Sequence, residues 1–254
     1  MTFKEFSNSI EKGREAGFHV FVQCLPKMGS TALSRSLPKA LHEFEMETAP
    51  SLMNQRKEAG FDQQRRRWLH RRKQQLGNTA DVCTSLFLLT SDLEDQVLRS
   101  NGHQRLVLNR SLRPWLRSIS NWSFQHARHP MRQTWANSYR QFVALADMEL
   151  FSVMPKTLTD LSSAVRFWIP VWLVYQGRLE TNVGEESLPP MLCDSNTLIP
   201  IKANSSHFSK AFLQRFESLI PAMPDLTISA NHHRNFRNEL RRKLIRASPS
   251  ITRI

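Results

Sequence analysis

The chain has few cysteines and no long hydrophobic run. Its three cysteines, Cys24, Cys83 and Cys193, are odd in number and widely spaced, and this spacing offers no zinc site. Two of them lie in apolar, strand-like segments, which predicts buried free thiols in a reducing compartment. The longest apolar run, around residues 167–175, is interrupted by Pro170 and is too short to span a bilayer.

Other absences concern targeting and domain organisation. The first residues, Met-Thr-Phe-Lys-Glu-Phe, lack the apolar core of a secretory signal. With no membrane span either, we expect a soluble, cytoplasmic protein. The chain contains no internal repeat and no low-complexity linker, so residues 1–254 are expected to form a single domain. Its basic C-terminal tail, residues 232–254, is expected to be helical or partly disordered.

Acidic residues are in the minority. The chain has 22 Asp and Glu against 35 Lys and Arg, a formal net charge of +13. Such a potential attracts anionic ligands, and it would also attract nucleic acid or an anionic membrane surface. Charge alone therefore does not choose a partner. The length of 254 residues and a hydrophobic content of 40% are sufficient for one α/β domain with a substantial core.

The most informative segment is residues 18–33. Its pattern predicts an apolar strand, a tight turn containing Lys27 and Gly29, and a helix that begins at Ser30 and Thr31. Backbone N–H groups at a helix start, a lysine and two hydroxyls together form an anion site. The loop differs from the GxxxxGK[ST] motif of nucleoside triphosphatases, because Lys27 precedes the glycine and the loop is shorter. The segment predicts a bound phosphate.

A second segment agrees with the first. Residues 104–110 have the pattern of a buried strand that ends at Arg110, and Pro114 suits the first turn of a following helix. Arg110 offers a planar donor fork suited to phosphate, and Ser118, two helical turns further on, adds a hydroxyl. In open α/β sheets, ligands bind beyond the carboxyl ends of the strands, where Lys27 and Arg110 would both lie.

Together the two segments resemble the sulfotransferases that use 3′-phosphoadenosine-5′-phosphosulfate (PAPS). The sequence Pro-Lys-Met-Gly-Ser-Thr at 26–31 is similar to the 5′-phosphosulfate loop of that family, PKxGTT or PKxGTS. Arg110, followed by Ser118, is similar to its 3′-phosphate motif. The resemblance extends from residue 18 to about 122. It implies a three-layer α/β/α fold with a central parallel sheet, like that of P-loop nucleotide-binding proteins, and a metal-free cofactor site formed by Lys27, Met28, Gly29, Ser30, Thr31, Arg110 and Ser118.

The chain departs from the family pattern at two positions. Ala32 stands where many cytosolic members have a tryptophan, which points toward the Golgi-type and bacterial carbohydrate-modifying members. Ser111 and Leu112 follow Arg110, where the family consensus is Arg-Asp-Pro. Many members also have a basic C-terminal loop near the 3′-phosphate, and the basic stretch 232–243 is a candidate for it.

The resemblance implies an in-line transfer of a sulfuryl group from PAPS to a hydroxyl or amine of an acceptor, with a carbohydrate and an anionic acceptor as candidates. Lys27 and the loop N–H groups would neutralise the charge that develops on the leaving phosphate. An acceptor hydroxyl also needs a base that removes its proton. Cytosolic members use a histidine after the second strand, and residues 82–87 contain none.

Carbohydrate-modifying members instead use a glutamate that follows the phosphate-loop helix and precedes a proline. Glu47, ahead of Pro50, is the preferred base, and Glu45 is the second choice. His42 and Glu43 are expected to lie too early, within the helix, and are not favoured.

A coarse pattern of elements completes the prediction. The phosphate-loop helix is expected to run to about residue 44, with a kink at Pro38. Strands are expected at 81–89 and 191–194, and helices at 55–75, 93–98, 135–147, 161–179 and 207–220.

Two alternatives to the sulfotransferase remain open. One is a non-catalytic basic protein that keeps the phosphate-binding fold and binds nucleic acid or another polyanion through charge. The dense basic run 65–73 would suit that function or an anionic acceptor. The other is a P-loop kinase, disfavoured because Asp81 begins its strand instead of ending it near a Mg²⁺ ion. The combination of Lys27, Arg110 and Ser118 favours the sulfotransferase.

Overall fold

The computed structural model describes residues 3–15, 19–37, 39–76, 79–84, 88–89, 103–110, 112–125, 128–181, 191–194, 214 and 230–246. The chain divides into two compact units. Unit 1 comprises Met1–Arg110, Pro130–Ser138 and Leu179–Ile201, and unit 2 comprises Ser111–His129, Tyr139–Arg178 and Lys202–Ile254. The expectation of a single domain stays a prediction.

Unit 1 contains a parallel sheet, so the chain has a mixed α/β fold. The five strands are hydrogen-bonded in the order β2-β3-β1-β4-β5, and every neighbouring pair is parallel. Because the chain fills one side of β1 before the other, the strand order reverses at β1. Their bounds are β1 His19–Gln23, β2 Ala40–His42, β3 Ala80–Cys83, β4 His103–Asn109 and β5 Met191–Asp194.

Helices make up most of the remaining described residues. They are α1 Phe3–Glu15, α2 Ser30–Ser36, α3 Thr48–Asn54, α4 Phe61–Leu76, α5 Leu112–Gln125, α6 Arg132–Ala146, α7 Met148–Val153, α8 Leu161–Thr181 and α9 Ala230–Arg246. Helices α1 to α4 belong to unit 1, whereas α5, α7 and α9 belong to unit 2.

Each unit has its own apolar core. In unit 1, the side chains of Val20, Phe21 and Val22 are all buried, as expected for a strand with neighbours on both sides in a parallel sheet. In unit 2, Trp168 packs edge-on against Trp115 with ring centroids 6.1 Å apart, and its indole N–H donates to the Ser123 hydroxyl at 2.9 Å. This hydrogen bond satisfies a donor that burial would otherwise leave unpaired.

The expected extension of the phosphate-loop helix to residue 44 is wrong. Helix α2 ends at Ser36, Leu37 is extended with φ −101° and ψ 128°, and Ala40–His42 forms strand β2. Leu37 directly precedes Pro38 in the sequence, and a residue before proline is disfavoured in the helical conformation. The predicted kink falls at Pro38, which lies outside the described residues.

Other predicted elements are confirmed, with changed bounds. The first strand, the strand before Arg110, the last strand and the helices near 135–147 and 161–179 are all present. The strand expected at 81–89 is only Ala80–Cys83, and the helix expected at 55–75 begins at Phe61, after a turn in which Gly60 has φ 86°. The helix expected at 93–98 and nearly all of that at 207–220 lie outside the described residues.

Candidate functional site

The loop between β1 and α2 lies at the carboxyl edge of the sheet, after the central strand. Gly29 has φ 100°, which suits glycine, and Lys27 has φ 65°, a left-handed conformation that costs a residue with a side chain roughly 1–3 kcal/mol. Met28 is fully buried beneath the loop, and its N–H donates to the Leu25 carbonyl at 3.3 Å. Strain held in place by a buried anchor is typical of a functional loop.

Arg110 lies against this loop. It directly follows β4, the neighbour of β1, and its Nη1 donates to the backbone carbonyl of Lys27 at 2.9 Å. The Asn109 side chain accepts a hydrogen bond from the Arg110 N–H at 2.8 Å and so fixes the end of the strand. Two residues with cationic side chains, 83 residues apart in the sequence, are therefore in contact through the Lys27 backbone at the edge of the sheet.

The positive charge of this region comes from side chains. Helix α2 has only seven residues, so we attribute little of the potential to its dipole. Partial burial lowers the pKa of the Lys27 amine from its ordinary value, although the side chain still reaches solvent. A cation that has lost part of its water gains more from pairing with an anion than a fully hydrated one.

His42 links strand β2 to the start of α2. Its Nε2 lies 3.1 Å from the Ser30 hydroxyl and 3.5 Å from the Thr31 hydroxyl. Desolvation, assisted by the charge of Arg35, lowers the pKa of His42 and so favours the neutral ring. A neutral ring positions the two hydroxyls that the sequence assigns to phosphate binding.

Glu43 follows β2 at the same edge. Its carboxylate accepts hydrogen bonds from the Thr84 N–H at 3.2 Å and the Thr84 hydroxyl at 2.8 Å, and it lies 3.5 Å from His42 Nε2. Its own N–H donates to the Val82 carbonyl at 3.0 Å, and its φ is 57°. Burial raises the pKa of Glu43 to about 7, against the opposing hydrogen bonds from Thr84.

The geometry makes Glu43 a candidate base that sequence reasoning missed. A carboxyl group with a pKa near 7 is well matched to proton transfer at neutral pH. The predicted helix to about residue 44 places Glu43 inside a helix, whereas in the structure it follows strand β2. The signal that identifies Glu43 is Pro38: a helix that stops before this proline leaves 40–42 free to form a strand, with Glu43 at its carboxyl end.

The two glutamates that the sequence favoured lie on the segment between β2 and α3. Glu47 directly precedes α3 and is exposed, and its side chain makes no capping hydrogen bond. Glu45 is half-buried with φ 48°, and its charge contributes to the raised pKa of Arg72. The assignments of Glu47 and Glu45 as base stay predictions.

Ser118 is half-buried on α5. That helix belongs to unit 2, whereas the loop and Arg110 belong to unit 1. The assignment of Ser118 to the 3′-phosphate stays a prediction.

A buried ion pair supports the segment that contains Glu43. Arg72 of α4 is fully buried and makes a bidentate pair with Asp81 of β3, with Nη2 and Oδ1 2.8 Å apart. Arg72 Nη1 donates to the carbonyl of Phe44, the residue after Glu43. The guanidinium also lies over the rings of Trp68 and Phe44, at 5.1 and 5.5 Å from their centroids. Arg72 thus holds the turn after β2 in place.

Among the helices that the structure describes, none combines the length and the apolar character that a membrane span requires. No group of three or more His, Cys, Asp or Glu side chains in the described part of the chain is arranged to hold a metal ion.

Family models, curated proteins and solved structures gave no significant match to the chain. The functional assignment therefore depends on the arrangement of this chain's own residues.

Proposed function

We propose that the protein is a PAPS-dependent sulfotransferase. The observation that supports it most is the hydrogen bond from Arg110 to the Lys27 carbonyl, since it joins the two segments that resemble the 3′-phosphate and 5′-phosphosulfate sites. The parallel sheet, with both residues at the carboxyl edge where its order reverses, suits a nucleotide ligand. We further propose a three-layer α/β/α arrangement of the P-loop type.

The cofactor would be held through both of its phosphate positions. Lys27, the Met28 and Gly29 backbone and the Ser30 and Thr31 hydroxyls would bind the 5′-phosphosulfate. The fork of Arg110 would bind the 3′-phosphate. A planar fork with several N–H donors matches a phosphate better than a single ammonium group does.

The reaction would proceed by in-line displacement at sulfur. An acceptor oxygen forms a new S–O bond as the bond between sulfur and the 5′-phosphate oxygen breaks, and 3′-phosphoadenosine-5′-phosphate leaves with the electron pair. Lys27 would stabilise the charge that grows on the leaving oxygen, an effect that electrostatic groups supply strongly in a partly desolvated site. The proton of the acceptor hydroxyl would pass to a carboxylate base.

We propose Glu43 as that base, with Glu47 as the alternative that the sequence favours. Glu43 is partly buried, lies next to the His42 ring that contacts Ser30 and Thr31, and has a pKa of about 7. Glu47 is exposed. A group that titrates near the working pH accepts a proton without a large energetic cost and is regenerated readily.

The experiment is a calorimetric titration of the full chain with 3′-phosphoadenosine-5′-phosphate and with adenosine 5′-phosphate. We expect the first ligand to bind at least tenfold more tightly, since only it offers Arg110 a 3′-phosphate. Arg110→Ala should remove that preference, whereas Arg128→Ala, a change at an exposed arginine, should keep it. Equal affinities in the native protein would refute the Arg110 assignment, and no binding of either ligand would refute the proposal.

A non-catalytic polyanion-binding protein on the same fold is the second candidate. The observation in its favour is the exposed basic face of α4, which would attract a polyanion whether or not the loop binds PAPS. This candidate predicts salt-dependent binding of nucleic acid and no preference for the 3′-phosphorylated nucleotide.

We also propose that the protein works in the cytoplasm. Cys24 and Cys83 are buried free thiols, and burial raises the pKa of Cys24 well above its usual value. Such thiols are unreactive and suit a reducing compartment.

A further inference from the structure

Helix α4 exposes a basic face to solvent. We define the outer face of α4 as Arg66, Arg67, His70 and Arg71, all four of which are exposed. Their spacing of three to four residues places them on neighbouring positions of about two helical turns. The opposite side of the helix is apolar and buried, with Trp68 and Leu69 at 1% and 8% exposure.

Among the described residues, the arginines of this face have no acidic partner, unlike the arginines at its margins. The single acidic residue of α4, Asp62, pairs with Arg65 at 3.1 Å, and the buried Arg72 pairs with Asp81. Within the residues that the structure describes, no acidic side chain pairs with Arg66, Arg67 or Arg71. Three uncompensated guanidinium groups within six residues repel one another unless an anion lies between them.

The helix holds this face rigidly. Trp68 is buried against the sheet side, and Arg72 is tied to β3 and to the Phe44 carbonyl. Because the backbone beneath the outer face is already fixed, ligand binding there loses little conformational entropy of the helix. Only the arginine side chains must be ordered.

The topology places one end of the outer face nearer the candidate site than the other. Strands β2 and β3 are parallel neighbours, so the connection that contains α4 must run from the carboxyl edge of the sheet back to the opposite edge. The N-terminal half of α4, with Arg66 and Arg67, therefore lies nearer the carboxyl edge. That is the edge where Lys27, Glu43 and Arg110 lie.

We infer that the outer face of α4 binds a linear acidic polysaccharide, which it guides to the site as the acceptor. The role of the polysaccharide as acceptor rests on the proposed function, whereas its binding to α4 does not. A polymer with an anionic group on successive sugars complements a row of guanidinium groups, and its hydroxyls are nucleophiles that could receive a sulfuryl group.

The surface chemistry favours a polysaccharide over a single-stranded nucleic acid. Proteins that bind single strands stack the bases on exposed aromatic side chains. The large apolar side chains exposed in the described part of the chain are Leu41, Leu145 and Met148, none of them aromatic. On α4 itself, Trp68 is buried, and Phe61 lies under the Arg65 guanidinium, 5.6 Å from it.

The test compares two variants of equal charge. Arg66→Gln/Arg67→Gln/Arg71→Gln removes three cations from the outer face, and Arg128→Gln/Lys156→Gln/Arg166→Gln removes three exposed cations elsewhere. Fluorescence anisotropy with a labelled heparin octasaccharide is measured at two salt concentrations, with a uridine octanucleotide and a short RNA duplex as competitors. Calorimetry with 3′-phosphoadenosine-5′-phosphate is run on the same preparations.

We expect the α4 variant to bind the octasaccharide at least tenfold more weakly with a reduced salt dependence, and the control variant to stay within about twofold. Equal losses in both variants would show that net charge binds the ligand, and would overturn the inference. If either RNA binds the outer face more tightly than the octasaccharide does, the assignment of a polysaccharide as the ligand is refuted. If 3′-phosphoadenosine-5′-phosphate does not bind but the α4 variant loses octasaccharide affinity, the proposed function is refuted and the polysaccharide surface is supported. If the nucleotide binds but the α4 variant keeps its octasaccharide affinity, the polysaccharide surface is refuted and the proposed function is supported.

Discussion

The carboxylate of Glu43 accepts hydrogen bonds from both the N–H and the hydroxyl of Thr84, at 3.2 and 2.8 Å. These two residues follow the neighbouring strands β2 and β3, so the pair joins two strand ends at the edge where Arg110 contacts the phosphate-type loop. This partly buried carboxyl group is held in one orientation by two hydrogen-bond donors, and its pKa is about 7, which suits proton transfer.

The base assignment is tested by Glu43→Gln. The amide keeps the shape and one acceptor for Thr84 but cannot take a proton, so we expect sulfuryl transfer to fall by about 10²–10⁴-fold. Affinity for 3′-phosphoadenosine-5′-phosphate, measured by calorimetry, should stay within about twofold. Glu47→Gln is the matched control: if it removes activity and Glu43→Gln does not, the sequence-favoured glutamate is the base.

The raised pKa of Glu43 predicts how stability depends on pH. Since the folded-state pKa of about 7 lies above the unfolded value, the folded protein binds this proton more tightly than the unfolded chain does. The resulting contribution to the free energy of unfolding is fully present below pH 4.5. It is lost progressively as pH rises from 4.5 to 7, by about 3 kcal/mol in total. Urea unfolding of native protein and Glu43→Gln at pH 5 and pH 7.5 measures this. A difference between the two proteins that does not change with pH would exclude a raised pKa.

Activity should depend on pH in the opposite direction. The carboxylate form of Glu43 is the base, so the transfer rate should rise with pH and level off above about 7. A rate profile of the native protein from pH 5 to 9, at saturating cofactor, gives the apparent pKa. A rate already maximal at pH 5 would point to a carboxylate with an ordinary pKa.

Leaving-group stabilisation is tested by Lys27→Ala. Removal of the ammonium group should lower the rate of transfer by at least about 10²-fold, because the charge that develops on the departing oxygen loses the cation assigned to stabilise it. Lys39→Ala is a suitable control, since Lys39 is exposed and also has a positive φ, of 57°. Both alanines accept similar backbone strain, so a comparable loss of activity in the two would show that the loop conformation, and not the charge of Lys27, is responsible.

The ion pair of Arg72 and Asp81 should act as a unit. Arg72→Met leaves the carboxylate of Asp81 buried without its partner and should destabilise the protein by about 3–5 kcal/mol. The double change Arg72→Met/Asp81→Leu should recover much of that loss. Chemical denaturation measures both. Arg71→Met, one residue away and exposed, should change stability by less than about 0.5 kcal/mol. Additive losses in the double variant would contradict the coupling.

In unit 2, Asp147 connects α9 to α7. Its carboxylate caps α7 by accepting from the Glu149 and Leu150 N–H groups, and it pairs with Arg241 at 2.7 Å. Asp147→Ala should lower the free energy of unfolding by about 1 kcal/mol through the lost cap alone, and further through the lost ion pair with Arg241. Asp147→Ser keeps a capping oxygen without the charge, so thermal unfolding of the two variants separates the contribution of the cap from that of the ion pair. Equal losses would show that the cap contributes nothing.

Much of the site could be predicted because its residues are local in the sequence. The loop with Lys27 and Gly29 is specified by an apolar strand, a turn residue and a helix start that are consecutive in the chain. A local pattern also indicates Arg110, because this residue ends an apolar segment that has the character of a strand. Short-range patterns of this kind follow from backbone preference and burial, which the sequence states directly.

Glu43 could not be found by that route. The helix predicted to run to about residue 44 includes residues 42 and 43, whereas the restriction that Pro38 places on Leu37 ends the helix before them. The raised pKa of Glu43 depends on burial and on Thr84, 41 residues away, and no local pattern reports either.

The sequence by itself determined the excess of positive charge, the phosphate-type loop and the arginine at the end of a strand, because each depends on residue type and short-range order. The tertiary structure decided that Arg110 contacts the Lys27 carbonyl, that Thr84 donates hydrogen bonds to Glu43, and that three arginines of α4 are exposed while Arg72 is buried. Parallel strand pairing causes this, since it aligns the carboxyl ends of segments that are distant in the chain and sets which side of each helix faces the sheet.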